Sequence, residues 1–160
     1  MKKLVVVILF LSIGVFLSGQ DRASMSAPVI RATPEGVTFS AAFTDFSPGG
    51  EYRLGLAAAG GKLTSSKVEL LKNGTAIQLQ PADFDQNYTS NWWNVPKVSV
   101  HGFSLAGNNV PAKTDKLTLR ITVSKEELDK QKKVYMLIAR KYGEGVWYLE
   151  DGVEMNETNW

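Results

Sequence analysis

Cysteine is missing from all 160 residues, histidine occurs once, and the 18 Lys and Arg nearly balance the 16 Asp and Glu. Each shortage excludes something. Without cysteine there is no disulfide and no thiolate ligand, so the fold must stand on its hydrophobic core. The single histidine, His101, leaves a zinc site hard to assemble and sits in no recognisable arrangement with a nucleophilic serine. The even charge balance argues against a nucleic-acid binder, which needs clustered Lys and Arg. Phosphate-cradling glycine motifs ahead of a helix are also missing; Gly49-Gly50 and Gly60-Gly61 read as turn residues. No apolar run reaches the roughly 20 residues that span a bilayer as a helix.

The longest apolar run is Leu4–Leu17, interrupted only by Ser12 and Gly14, and it follows Lys2 and Lys3. Small residues Ser18 and Gly19 then lead into polar Gln20-Asp21-Arg22. A short positive start, an apolar stretch and small residues make an export signal over residues 1–20, with the cut expected between positions 19 and 26. Cleavage near Gly19 or Gln20 fits, and so does cleavage after Ser26, where Ser24 and Ser26 supply the small residues. Removing Lys2 and Lys3 takes the formal charge from +2 to zero. Export together with the lack of cysteine points to a bacterial protein of the periplasm or the extracellular space, with no stable membrane span after processing. The sequons at Asn73, Asn87 and Asn156 carry no meaning in such a chain.

Beyond the leader, short alternating segments are separated by turn residues. Leu117–Val123 places Leu117, Leu119, Ile121 and Val123 on one face, and Val134–Ala139 is apolar on both faces, as a central buried strand is. Val37–Thr44, Tyr52–Ala58 and Val98–Phe103 read as further strands, and Ala27–Ala32 as an edge strand beside Pro28 and Pro34. Val146–Leu149 follows the Gly143-Glu144-Gly145 turn. Lys67–Lys72 and Thr75–Gln80 flank Asn73-Gly74, which suits a type I′ hairpin. One helical turn is expected over 124–133, where Ser124 caps and Glu127 stands at capping-box spacing; Leu128 is its only apolar residue.

This pattern predicts an all-β, two-sheet β-sandwich in a single domain over 27–150, followed by a loose polar tail over 151–160. The stretch from Leu117 to Leu149 resembles immunoglobulin-like and fibronectin-like Greek-key sandwiches, in which a tyrosine near the start of the penultimate strand bonds back to the preceding corner. Tyr135, after the crossover carrying Leu128, holds the matching place. A jelly roll is the alternative, because the mature chain is longer than an immunoglobulin domain of about 100 residues.

Function is sought in Pro81–Pro96, the longest segment without a period, which reads as a loop. It gathers Phe84, Tyr88, Trp92 and Trp93 among Asp85, Asn91 and Asn94. Flat rings flanked by amides and carboxylates suit sugar stacking, and Trp and Tyr equally suit protein anchoring. The third possibility is that the rings fold inward and plug an open end of the sandwich. Asp83 and Asp85 lack the dense acidic loop calcium requires, so no metal and no cofactor are expected. Trp147 and Tyr148, being adjacent in a strand, must face opposite ways, one to core and one to solvent. The expected function is an exported, non-catalytic binding module contacting a protein partner in the cell envelope or at its surface. A carbohydrate-binding module is the alternative, and a small glycosidase using Glu51, Glu69 or Glu150 the third reading.

Overall fold

A computed structural model describes residues 22–58, 61–86 and 98–160. Two antiparallel sheets pack face to face. The first holds β1 (Ser24–Met25), β2 (Val29–Thr33), β3 (Gly36–Thr44), β5 (Ser65–Lys72), β6 (Thr75–Ala76) and β9 (Leu117–Val123). The second holds β4 (Tyr52–Ala58), β7 (Ala82–Gln86), β8 (Val98–Leu105), β10 (Lys133–Tyr142) and β11 (Val146–Asn156). A seven-residue helix, α1 (Lys125–Gln131), links β9 to β10.

The sandwich follows from the alternation. In β3, Val37, Phe39, Ala41 and Phe43 are buried while the residues between them are half-exposed. These side chains meet Leu54 and Leu56 of β4, Leu119 and Ile121 of β9, and Met136 and Ile138 of β10 in one core. Each fully buried Val, Leu, Ile, Phe or Met side chain among them contributes about 1.5–3 kcal/mol. Strand β10 is apolar on both faces because it has two to satisfy. Val134, Met136 and Ile138 enter that core, whereas Tyr135 and Leu137 join a second buried cluster on the outer side of the same sheet.

The strand order is that of an immunoglobulin-like Greek key. One sheet runs β2-β3-β9-β5 and the other β4-β10-β11, the arrangement of a seven-strand constant-type domain taken in chain order. The added length is an inserted hairpin: β8 pairs with β4, β7 pairs with β8, and the sheet is extended by two strands at that edge. The connection at the tip of this hairpin, 87–97, lies outside the described residues.

Local signals were sound where they rested on backbone chemistry. Asn73 and Gly74 adopt φ of 50° and 85°, as a type I′ turn requires. Ser124 Oγ accepts from Glu127 N–H at 3.3 Å and caps α1, and Leu128 is fully buried. The Glu127 carboxylate accepts from Thr64 N–H, tying the helix to the segment before β5 instead of closing a capping box.

Four expectations are corrected. The strand after Gly74 is only Thr75–Ala76: Ile77 N–H still donates to Leu70 O, the next position in register on β5, and Leu79 N–H then turns back to Ile77 O, so nothing pairs out to Gln80. The stretch 81–96 is not all loop, since Ala82–Gln86 pairs with β8 from Ala82↔Gly102 to Gln86↔Val98. The end of the chain is no loose tail: β11 continues to Asn156, with Lys133↔Asn156 as its last rung, and Trp160 packs edge-on against Phe39 with centroids 6.1 Å apart. The domain also begins earlier than residue 27, because β1 pairs with β3 through Ser24↔Thr44 and Met25↔Phe43. Pro28, which has no N–H to give a ladder, stands between β1 and β2.

Candidate functional site

The outer face of the second sheet carries Phe84, the one ring of the expected binding stretch that lies among the described residues. Alternation along β7 turns Phe84 outward beside Val100, its partner on β8. Arg53 of β4 and Trp147 of β11 rise from the same face. The Arg53 guanidinium lies 4.5 Å from the Phe84 ring centre and 4.1 Å from that of Trp147, so two edge strands meet over a central one. Ala139, which pairs with both Arg53 and Leu149, is the small residue between Arg53 and β11. On the β8 side, Gly55 pairs with Gly102. A Cβ on Gly102 would stand 2.0 Å from Leu54 O and 2.6 Å from the Gly55 Cα, so the strands approach too closely there for any side chain.

Phe84 is therefore neither a plug in the interior nor an open stacking platform. It packs on the outer cluster of Ala57, Val98, Val100, Tyr135, Leu137 and Leu149, with Arg53 over its ring. Asp85 lies in β7. Tyr88, Asn91, Trp92, Trp93 and Asn94 fall outside the described residues. Tyr135 faces outward, not into the corner, and hydrogen-bonds with Glu154 across the β10–β11 ladder. Burial first, and then the Glu154 charge, hold its phenol above the ordinary tyrosine value.

A second cluster, which sequence reasoning touched through Tyr148 and Glu150, forms where the β10–β11 hairpin runs beyond the core. Arg140 pairs with Tyr148 in register, and Tyr142 and Tyr148 meet edge to face with centroids 5.4 Å apart. Both stay well exposed, at 37% and 41%, beside Val146 at 47%. Trp147 faces the other way and is buried, as adjacency in a strand demands.

Tyr142 is held from below. Tyr142 Oη donates to Glu150 Oε1 at 2.5 Å, and Ala23 N–H donates to Glu150 Oε2 at 2.7 Å. The Arg140 guanidinium donates to Ser47 Oγ at 2.8 Å and lies 4.9 Å from the Tyr142 ring centre. Tyr52 Oη accepts from Ser47 N–H at 2.7 Å, which fixes the loop beneath. Burial, and after it the Glu150 carboxylate, push the Tyr142 phenol above its usual value.

The remaining candidates are dispersed. His101 Nδ1 and Asp83 Oδ1 are 2.5 Å apart across β7–β8 and satisfy each other. Among the described residues no group of three His, Cys, Asp or Glu could hold a metal ion. The carboxylates considered for glycoside hydrolysis have separate partners: Glu51 pairs with Lys141, Glu69 with Lys67, and Glu150 is buried under Tyr142. The outer face of the first sheet is polar, with two shallow depressions of about 300 and 460 Å³ that share Thr33, Thr38 and Arg120. No helix among the described residues is long and apolar enough to cross a membrane. Compared with family models, curated proteins and solved structures, the chain has no significant match to any of them.

Proposed function

We propose that this chain is an exported, non-catalytic interaction module that contacts a protein partner in the cell envelope or at the cell surface. The observation that carries the reading is the exposed pair Tyr142–Tyr148 with Arg140 at the end of the β10–β11 hairpin. Tyr and Arg are the residue types that dominate the energy of protein interfaces, because each combines a large apolar contact with a polar tip. Here they are ordered in advance. The hydrogen bond from Tyr142 to Glu150 and that from Arg140 to Ser47 hold these two side chains before any partner arrives, and Tyr148 rests edge-on against the Tyr142 ring. Little side-chain entropy remains to be lost on binding, which otherwise costs about 0.5–1.5 kcal/mol per immobilised side chain.

The test is a photo-reactive residue at position 146, between the two tyrosines, in the protein expressed in its own host. A discrete cross-linked envelope or surface protein is expected, and Tyr148→Ala weakens its binding by about 2 kcal/mol or more, the scale of an interface anchor. Purified partner and module mixed at micromolar concentration supply the affinity. Cross-linking and affinity unchanged by Tyr142→Ala and Tyr148→Ala would sink the proposal for this patch.

A further inference from the structure

Between the two cut positions that the small residues allow, the fold distinguishes. Ala23 is 2% exposed, and Met25 packs on the main core. The short strand β1 belongs to the first sheet by its pairing with β3, and Ser26 extends the contact: its N–H donates to Ala42 O at 2.8 Å, and its Oγ accepts from Ala42 N–H at 2.9 Å. The other edge of β1 reaches the second sheet. Ala23 N–H donates to Glu150 Oε2, and Met25 N–H donates to Asp151 Oδ2, both at 2.7 Å and both to β11. Residues 23–26 thus stitch the two sheets together along one open side of the sandwich. Their removal strips the Glu150 carboxylate, whose side chain is 2% exposed, of a donor. Burying a carboxylate without its hydrogen bonds is costly.

We infer that the leader is cut ahead of Ala23, at the small pair Ser18-Gly19, and that the mature protein keeps residues 23–26 as the strand joining its two sheets. The inference rests on the export reading of the proposed function. It turns on what the mature fold needs rather than on protection of the bond, so it holds even where the peptidase acts on an unfolded chain. A cut after Ser26 leaves an N-terminus at Ala27 and deletes β1.

Two measurements test it. Intact mass and N-terminal sequencing of the protein recovered from the periplasm or medium should give a start between Gly19 and Arg22. A mature start at Ala27 overturns the inference while leaving export standing; Met1 retained on a cytosolic protein overturns export and the inference with it. Separately, chains made to begin at Gln20 and at Ala27 are compared by thermal unfolding. The shorter chain should melt about 5 °C or more lower, and equal melting overturns the inference. Should the shorter chain fail to fold, Asp151→Ala in the longer one decides: a lowered Tm supports the tie to Met25, and an unchanged Tm counts against it.

Discussion

Asp115 shows how much one side chain can organise in a protein without disulfides. Its carboxylate accepts from Ala112 N–H at 2.7 Å and Asn73 Nδ2 at 3.0 Å, and pairs with Lys72 Nζ at 2.9 Å. Asn73 Oδ1 in turn accepts from Lys116 N–H at 2.8 Å. The β5–β6 turn is thereby tied to the loop before β9. Burial pushes the Asp115 carboxyl up, but the Lys72 ammonium and the Ala112 and Asn73 donors outweigh it and hold the group below its ordinary value. A depressed folded pKa stabilises above the unfolded value near 4 and stops doing so as pH falls through the folded one. Asp115→Ala should therefore cost about 2–3 kcal/mol at pH 7 by urea unfolding. The gap from the native protein should close in acid, and a gap independent of pH would refute the charge argument. Asn73 was legible as a turn residue from its neighbour Gly74. Its link to Asp115, 42 positions away, was not, because that contact exists only once the chain has folded.

At the scale of elements, period-two alternation identified most strands, and its failures are instructive. Ala82–Gln86 has Phe84 as its one large apolar residue, since an edge strand over a polar rim needs only one; it therefore passed for loop. Residues 150–156 carry Glu150, Asp151 and Glu154, which read as a solvated tail. Each carboxylate in fact has a donor waiting: Tyr142 and Ala23 for Glu150, Met25 for Asp151, Lys133 for Glu154. The glycine pair at the β4–β8 crossing gives a prediction of its own. Gly102→Ala puts a methyl 2.0 Å from Leu54 O, so the strands must part. A loss of about 2–4 kcal/mol, at the upper end for single substitutions, is expected in thermal unfolding. A variant as stable as the native protein would show that the close approach is not needed.

For the whole molecule, pH should act from the alkaline side as well. Tyr135 and Tyr142 both have phenols held above the ordinary value near 10, chiefly by burial and then by Glu154 and Glu150. A raised folded pKa leaves their contribution intact below the unfolded value and removes it as pH climbs through the folded one. Urea midpoints should hold level up to about pH 9 and fall beyond pH 10. Tyr142→Phe should soften that fall, and an identical alkaline slope in the variant would contradict the assignment.

By itself the sequence determined the class: two layers of short strands, one capped helical turn, one type I′ hairpin and a core without covalent links, because these depend on the periodicity and backbone preferences of neighbouring residues. Only the tertiary structure decided the inserted hairpin at the β4 edge, the pairing of the acidic end of β11, the Arg53 sandwich and the strand ahead of Pro28 that joins the sheets. Those rest on partners far apart along the chain, and hydrophobic alternation carries no record of which distant donor will meet a given carboxylate or ring.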